Sequence, residues 1–180
     1  MKKAEQQANH ITIDINNLMA EALGDRYGLC AEQIDAYAAA AARAFEAVQS
    51  HRGQGFMGWT ELPYNQDEIV ADILATAADI RASFDAFVVL GIGGSALGPI
   101  AVQQALNHLR YNELPDDRRG GPRFYVEDNI DPERMAALLD VIDIKKTCFN
   151  VITKSGATAE TMSQYLIISD LLKKAVGDGW

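Results

Sequence analysis

Two short stretches carry the residue types that phosphate chemistry needs. In Gly91-Ile-Gly-Gly-Ser95 the glycines free the backbone to take positive φ and leave no Cβ between the amide N–H groups and a ligand, while Ser95 adds a hydroxyl. In Thr153-Lys-Ser-Gly-Ala-Thr158 three hydroxyls and one ammonium surround a glycine that lets the backbone come close. Each stretch runs into a helical pattern, so a positive dipole end would point at the same anion. Plainer readings exist for both. The first could be a turn that only packs tightly, and the second a helix cap in which Ser155 and Thr158 serve the backbone and Lys154 is solvated.

The surrounding elements decide whether these stretches meet. Residues 86–90, Ala-Phe-Val-Val-Leu, form an apolar, β-branched run with the length of a strand buried on both faces. A helix follows with Leu97, Ile100, Ala101, Ala105 and Leu109 on its apolar side. A polar loop over 112–121 then leads to a second strand at 124–126. Asp131-Pro132-Glu133 has the order of a cap, a first-turn proline and a first-turn acid, and it opens a helix with Met135, Leu138, Leu139 and Ile142 inward. A third strand over 148–153 enters the hydroxyl-rich loop, and a last helix buries Met162, Tyr165, Ile168 and Leu172. Three strand–helix alternations predict a parallel sheet with helices on both faces and ligands beyond the carboxyl ends of the strands. A 2-1-3 order puts 86–90 in the middle and leaves 149–153 at an edge.

Upstream, 11–15 reads as a short extended segment. A helix over 31–49 carries Ile34, Ala38, Ala41, Phe45 and Val48 on one face. Phe56, Met57, Trp59 and Leu62 belong to an apolar loop that must pack on something. Asn65 and Glu68 then suit a capping box for a helix with Ile69, Ile73, Leu74, Ala77 and Ile80 buried.

Composition narrows the function classes. The 180 residues are 48% hydrophobic with a net charge of -9, enough for a real core and unsuited to nucleic acid or an anionic membrane surface. Met1-Lys2-Lys3 is not followed by a signal-peptide apolar region, no run reaches membrane-spanning length, and Cys30 and Cys148 read as free thiols, so a cytoplasmic protein is expected. The Gly-x-Gly-x-x-Ala pattern at 91–96 also raises a dinucleotide-binding enzyme. Glu127 would then be the ribose-binding acid, but it lies 36 positions after Gly91, against about 20 expected. An ATP-binding P-loop fits less well, because Pro99-Ile100 stands where lysine and a hydroxyl residue belong.

Residues 91–99, Asp128-Asn-Ile-Asp-Pro132 and 151–161 resemble, in order and spacing, the amino-terminal sugar-isomerase (SIS) domain of the glucose-6-phosphate isomerase family, and the segment 56–63 looks like the leader of its shorter bacterial form. The resemblance implies an α/β fold, a three-layer parallel sheet of the SIS, flavodoxin-like type, with 1–82 a helical leader and 83–180 the first part of the phosphosugar-binding domain. It implies that Gly94, Ser95, Thr153, Lys154, Ser155 and Thr158 hold the phosphate of glucose 6-phosphate or fructose 6-phosphate, with no metal, no cofactor and a homodimer at full length. Gly156 and Ala157 stand where many relatives have a hydroxyl or aromatic residue. Family members run to well over twice this length, and the groups that open the ring and move the proton correspond to positions beyond Trp180. No catalytic residue is therefore expected here, and a non-catalytic phosphosugar-binding module is the alternative. His10, His51 and His108 read as surface histidines. Glu160 reads as a helix-dipole partner, and Glu127 and Asp128 as either ligand contacts or a turn before Pro132.

Overall fold

The computed structural model describes residues 12–64 and 66–177. The expectations for His10, for Ile11 and for Asn65 as a helix cap lie outside the described residues. The chain divides into two compact units, 1–66 and 67–180.

In the first unit, a 3₁₀ turn at Asn16–Leu18 and the single helical turn α1 (Ala20–Leu23) precede the long helix α2 (Ala31–Ser50). Residues 12–15 pair with no strand; the bridge in this unit joins Met19 to Leu29. At the start of α2 the Gln33 side-chain oxygen accepts from the Cys30 N–H at 2.9 Å. At its end the His51 ring nitrogen Nδ1 lies 2.7 Å from the Ala47 carbonyl. The expected apolar face exists as a stripe but is not buried: Ile34 is half-buried, while Phe45 and Val48 are exposed. The 56–62 segment winds as a 3₁₀ helix, Gly55–Glu61, with Met57 half-buried and Phe56 exposed.

The second unit is built on a parallel sheet. Helix α3 (Asp67–Ser83) delivers the chain to β1 (Ala86–Leu90), so by contact it groups with the sheet, whereas the sequence reading assigns it to the leader. Helix α4 (Gly94–Leu106), the short α5 (Asp116–Arg119), β2 (Arg123–Glu127), α6 (Pro132–Val141), β3 (Thr147–Val151) and α7 (Ala159–Val176) follow. The strand order is β2-β1-β3, as the 2-1-3 expectation had it. Ala86 is in register with Arg123 on one side and Thr147 on the other, and Leu90 with Glu127 and Val151. β1 is central, and Val88, Val89 and Leu90 are closed off from solvent.

One face of the sheet carries the main core. Val88 and Leu90 pack with Met135 and Leu138 of α6 and Ile168 of α7, joined by half-buried Tyr125, Leu139, Ile142, Phe149, Leu171 and Leu172. Burying a side chain such as Leu90 or Ile168 stabilises the fold by about 1.5–3 kcal/mol. On the other face the Phe87 and Phe124 rings stack at 6.2 Å. Ala77 and Ile80 of α3 and Gln103 of α4 line the cavities beside those rings.

Three details differ from expectation. α4 stops at Leu106 because Asn107 turns extended, so Leu109 lies outside the helix and is exposed. Only the carboxyl-terminal part of the α3 stripe is covered: Ala77 and Ile80 are half-buried, whereas Ile69, Ile73 and Leu74 stay exposed. β3 ends at Val151, two residues early, which releases Thr153 into the loop. β3 is an edge strand, and an apolar cavity of about 370 Å³ lined by Phe84, Cys148, Phe149, Val151 and Tyr165 opens beside it. Burial there pushes the free Cys148 thiol pKa up.

Candidate functional site

The three strands finish together. Past their ends the ladder continues for one step on each side: Gly91 N–H donates to the Glu127 carbonyl at 3.2 Å, and Ile152 N–H donates to the Leu90 carbonyl at 2.9 Å. The loops at 91–94, 127–131 and 152–158 therefore leave from one edge, the carboxyl end that the strand–helix pattern predicts to hold ligand.

Gly91 joins two of these loops. A Cβ at this position would stand 2.9 Å from Ser95 Cβ and 3.2 Å from the Ile152 carbonyl oxygen. Ser95 and the residue just before Thr153 thus lie side by side, with only the absent side chain of Gly91 between them. Gly93 takes φ 57° and ψ −122°, a backbone conformation closed to L side chains, and turns the chain into α4. No side chain caps that helix. Pro99, inside its second turn, has no N–H to offer the Ser95 carbonyl. Ser95 itself is half-buried.

The second loop is held by its own hydroxyls. Thr153 Oγ1 accepts from Gly156 N–H at 3.2 Å and lies 3.4 Å from Thr158 Oγ1, and Ser155 Oγ accepts from Ala157 N–H at 3.4 Å. Gly156 has φ 73°. Thr158 occupies the cap position of α7 without capping it, so the reading of Thr158 as a simple helix cap finds no hydrogen bond. Lys154 and Ser155 are exposed, and Thr153 and Thr158 are half-buried. The result is a shelf with two uncapped helix starts, several hydroxyls and one ammonium, which suits a small dianion.

The loop between them is built otherwise. Asp131 caps α6, accepting from Glu133 N–H at 2.9 Å and Arg134 N–H at 3.3 Å. Arg134 then reaches back, its Nη1 to Asp128 at 2.7 Å, its Nη2 to the Val126 carbonyl at 3.1 Å and its Nε to within 3.3 Å of Glu127. Burial raises the Glu127 pKa against the opposing pull of Arg134. Both carboxylates that were candidates for ligand are therefore engaged by Arg134. That clamp was not visible in the sequence, because its partners straddle a turn instead of sharing a helix face.

Among other candidates, His51 and His108 are exposed, and His108 Nδ1 accepts from Arg110 N–H at 3.0 Å. Glu160 is half-buried in the first turn of α7. Gln164 was not singled out by sequence: it is buried and donates to the Asn129 carbonyl at 2.8 Å, and nothing local links positions 35 apart. Among the described residues, no helix is long and apolar enough to cross a membrane.

The chain is similar to known proteins. A glucose-6-phosphate isomerase of Carboxydothermus hydrogenoformans is 54% identical over 172 residues, covering 93% of this chain and 36% of the relative. One from Rubrobacter xylanophilus is 46% identical over 122 residues, covering 67% of this chain and 28% of the relative. Among solved structures, a hypothetical protein from Thermus thermophilus superposes with a TM-score of 0.63 at 31% identity, over 83% of this chain and 33% of that one. The chain spans about a third of the length of these curated relatives. The family model described as phosphoglucose isomerase matches residues 76–179, from within α3 through the sheet and both glycine-bearing loops, and the chain belongs to that family.

Proposed function

We propose that this chain is the sugar-phosphate-holding amino-terminal part of a glucose-6-phosphate isomerase, acting in the reversible conversion of glucose 6-phosphate to fructose 6-phosphate. Gly94 and Ser95 at the start of α4, and Thr153, Lys154, Ser155 and Thr158 before α7, grip the phosphate. The observation that carries this reading is the side-by-side placement of Ser95 and the root of the second loop across Gly91, with two helix starts left uncapped beside them. A dianion there would receive backbone N–H groups, hydroxyls and the Lys154 ammonium in charge-assisted hydrogen bonds.

Aldose–ketose isomerisation further requires a carboxylate to carry a proton between adjacent carbons, a cation for the enediolate and an acid–base pair for ring opening. The buried or half-buried acids beside the shelf are read as structural: Glu127 and Asp128 answer Arg134, Asp131 caps α6, and Glu160 sits in the first turn of α7 where a carboxylate favours the helix dipole. The chemistry is accordingly assigned to the remainder of the family's chain, with 1–82 as a leader and the sheet domain from 83 onward supplying the phosphate grip of a cytoplasmic homodimer. The 180-residue chain by itself is expected to show no isomerase turnover above background. Turnover surviving rigorous removal of host isomerase would overturn that division of labour. Calorimetric competition tests the grip: inorganic phosphate, glucose 6-phosphate and fructose 6-phosphate should displace one another, and NAD should displace none of them. NAD displacing phosphate, or no binding of any of the three, would refute the assignment.

A further inference from the structure

Helix α7 has two kinds of anchor. Its carboxyl-terminal half packs Ile168, Leu171 and Leu172 into the core, with the small Ser169 buried beside them. Its amino-terminal half, which carries the hydroxyl-rich loop, buries polar residues instead: Thr161 is 1% exposed and Gln164 3%. Thr161 Oγ1 has no partner among the described residues. Gln164 Nε2 donates to the Asn129 carbonyl at 2.8 Å, in the loop after β2. That loop is itself fixed twice, by the Asp131 cap on α6 and by Arg134 bonding Asp128 and the Val126 carbonyl. The bond from buried Gln164 to the Asn129 carbonyl thus ties the start of α7 to a braced part of the sheet edge.

We propose that Gln164 is a positioning residue for the 153–158 loop, fixing the start of α7 against the loop after β2. The inference rests on the phosphate-holding function proposed above. Burying a glutamine is costly unless its amide is bonded, and leucine would fill the same volume at less cost. A residue kept only for packing would not need the amide. Without the bond, the first turns of α7 are free to rock about the apolar anchor at Ile168, and donors aimed at one point lose their common focus.

The test uses Gln164→Leu and Gln164→Glu in the 180-residue chain, with amide NMR shifts and phosphate titration. In ligand-free protein, Gln164→Leu should shift the amides of 156–159 as well as those of 129–130, while the melting temperature stays near that of the parent. Its affinity for inorganic phosphate should fall roughly five- to tenfold. Gln164→Glu can donate to the Asn129 carbonyl only when protonated, and burial favours that form. Its affinity relative to the parent should therefore be low at pH 8 and return toward one by pH 6, a recovery that lost packing alone would not produce. Unchanged 156–159 amides with unchanged phosphate affinity in Gln164→Leu would overturn the proposal. If Gln164→Leu does not fold, a pH-independent affinity ratio in Gln164→Glu would overturn it just as well. If the parent binds no phosphate, the proposed function fails, and the ligand-free shifts at 156–159 still decide the role of Gln164.

Discussion

Three helices start at the same edge of the sheet, and they start in two ways. α6 is closed by its own sequence: Asp131 accepts from two first-turn N–H groups, Pro132 removes a third donor, and Arg134 folds back over Asp128. α4 and α7 begin at Gly93 and Thr158 with no side-chain cap. Helix N-termini leave four orphan N–H groups each, and a chain that needs only stability satisfies them locally. The difference at one edge is what favours the proposed anion site over α6. α6 has met its need with side chains, while α4, whose Ser95 and Ala96 N–H groups turn back on the Ile92 and Gly93 carbonyls, and α7 carry hydroxyls and no side-chain cap.

Several changes would break or sharpen that contrast. The largest effect is expected from Gly91→Ala, because the added Cβ meets Ser95 Cβ at 2.9 Å on one side and the Ile152 carbonyl at 3.2 Å on the other. Overpacking of this kind costs about 1–3 kcal/mol. It should also spread the two loops and abolish measurable phosphate binding. Chemical denaturation and calorimetry on the same variant would show both, and unaltered binding would mean that the two loops do not work as one site.

Next come Ser95→Ala and Thr158→Val, each expected to weaken phosphate binding by about 1.5–3 kcal/mol through one lost charge-assisted hydrogen bond. Asp131→Ala is their counterpart. It should cost about 1 kcal/mol of stability through the lost cap and leave phosphate affinity unaltered. A loss of phosphate affinity in Asp131→Ala equal to that in Ser95→Ala would erase the distinction between the two kinds of helix start.

The smallest effect concerns pH. Burial holds the Glu127 pKa above its ordinary value despite Arg134, so between the ordinary carboxylate pKa and the raised one the folded state holds the proton more tightly than the unfolded state. In that window this group's contribution falls as pH rises, and above it the contribution is constant. Glu127→Gln removes it. The difference in melting temperature between parent and variant should therefore change across the window just above pH 4.5 and level off at higher pH. A difference that is constant from pH 4.5 upward would show that Glu127 titrates alike in both states.

Much of this edge was legible from residue order. β1 matches the apolar run at 86–90 residue for residue, because a strand buried on both faces has no polar position to blur its ends. Asp131-Pro132 marked the α6 start for a different, local reason, since a cap residue and a first-turn proline act within one turn. What stayed illegible depends on long-range geometry. The α4 stripe continues at the right spacing to Leu109, yet the backbone leaves the helix at Asn107. The apolar faces of α2 and of the first half of α3 are periodic, but periodicity does not say whether anything covers them, and Phe45, Ile73 and Leu74 are exposed. Both phosphate-suited loops could be named from composition. That the loops approach each other at Gly91, and that Arg134 and Gln164 brace the loop between them, depends on contacts between residues far apart in the chain.

Backbone amide shift mapping with glucose 6-phosphate tests the contrast most directly, since it reads all three helix starts in one titration. Saturable shifts are expected at 93–95 and at 153–159, with 133–135 unmoved, and inorganic phosphate should trace the same positions with smaller shifts elsewhere. Shifts centred on 133–135, or none at either glycine-bearing loop at concentrations where phosphosugar is in large excess, would contradict the assignment of the uncapped helix starts as the phosphate site.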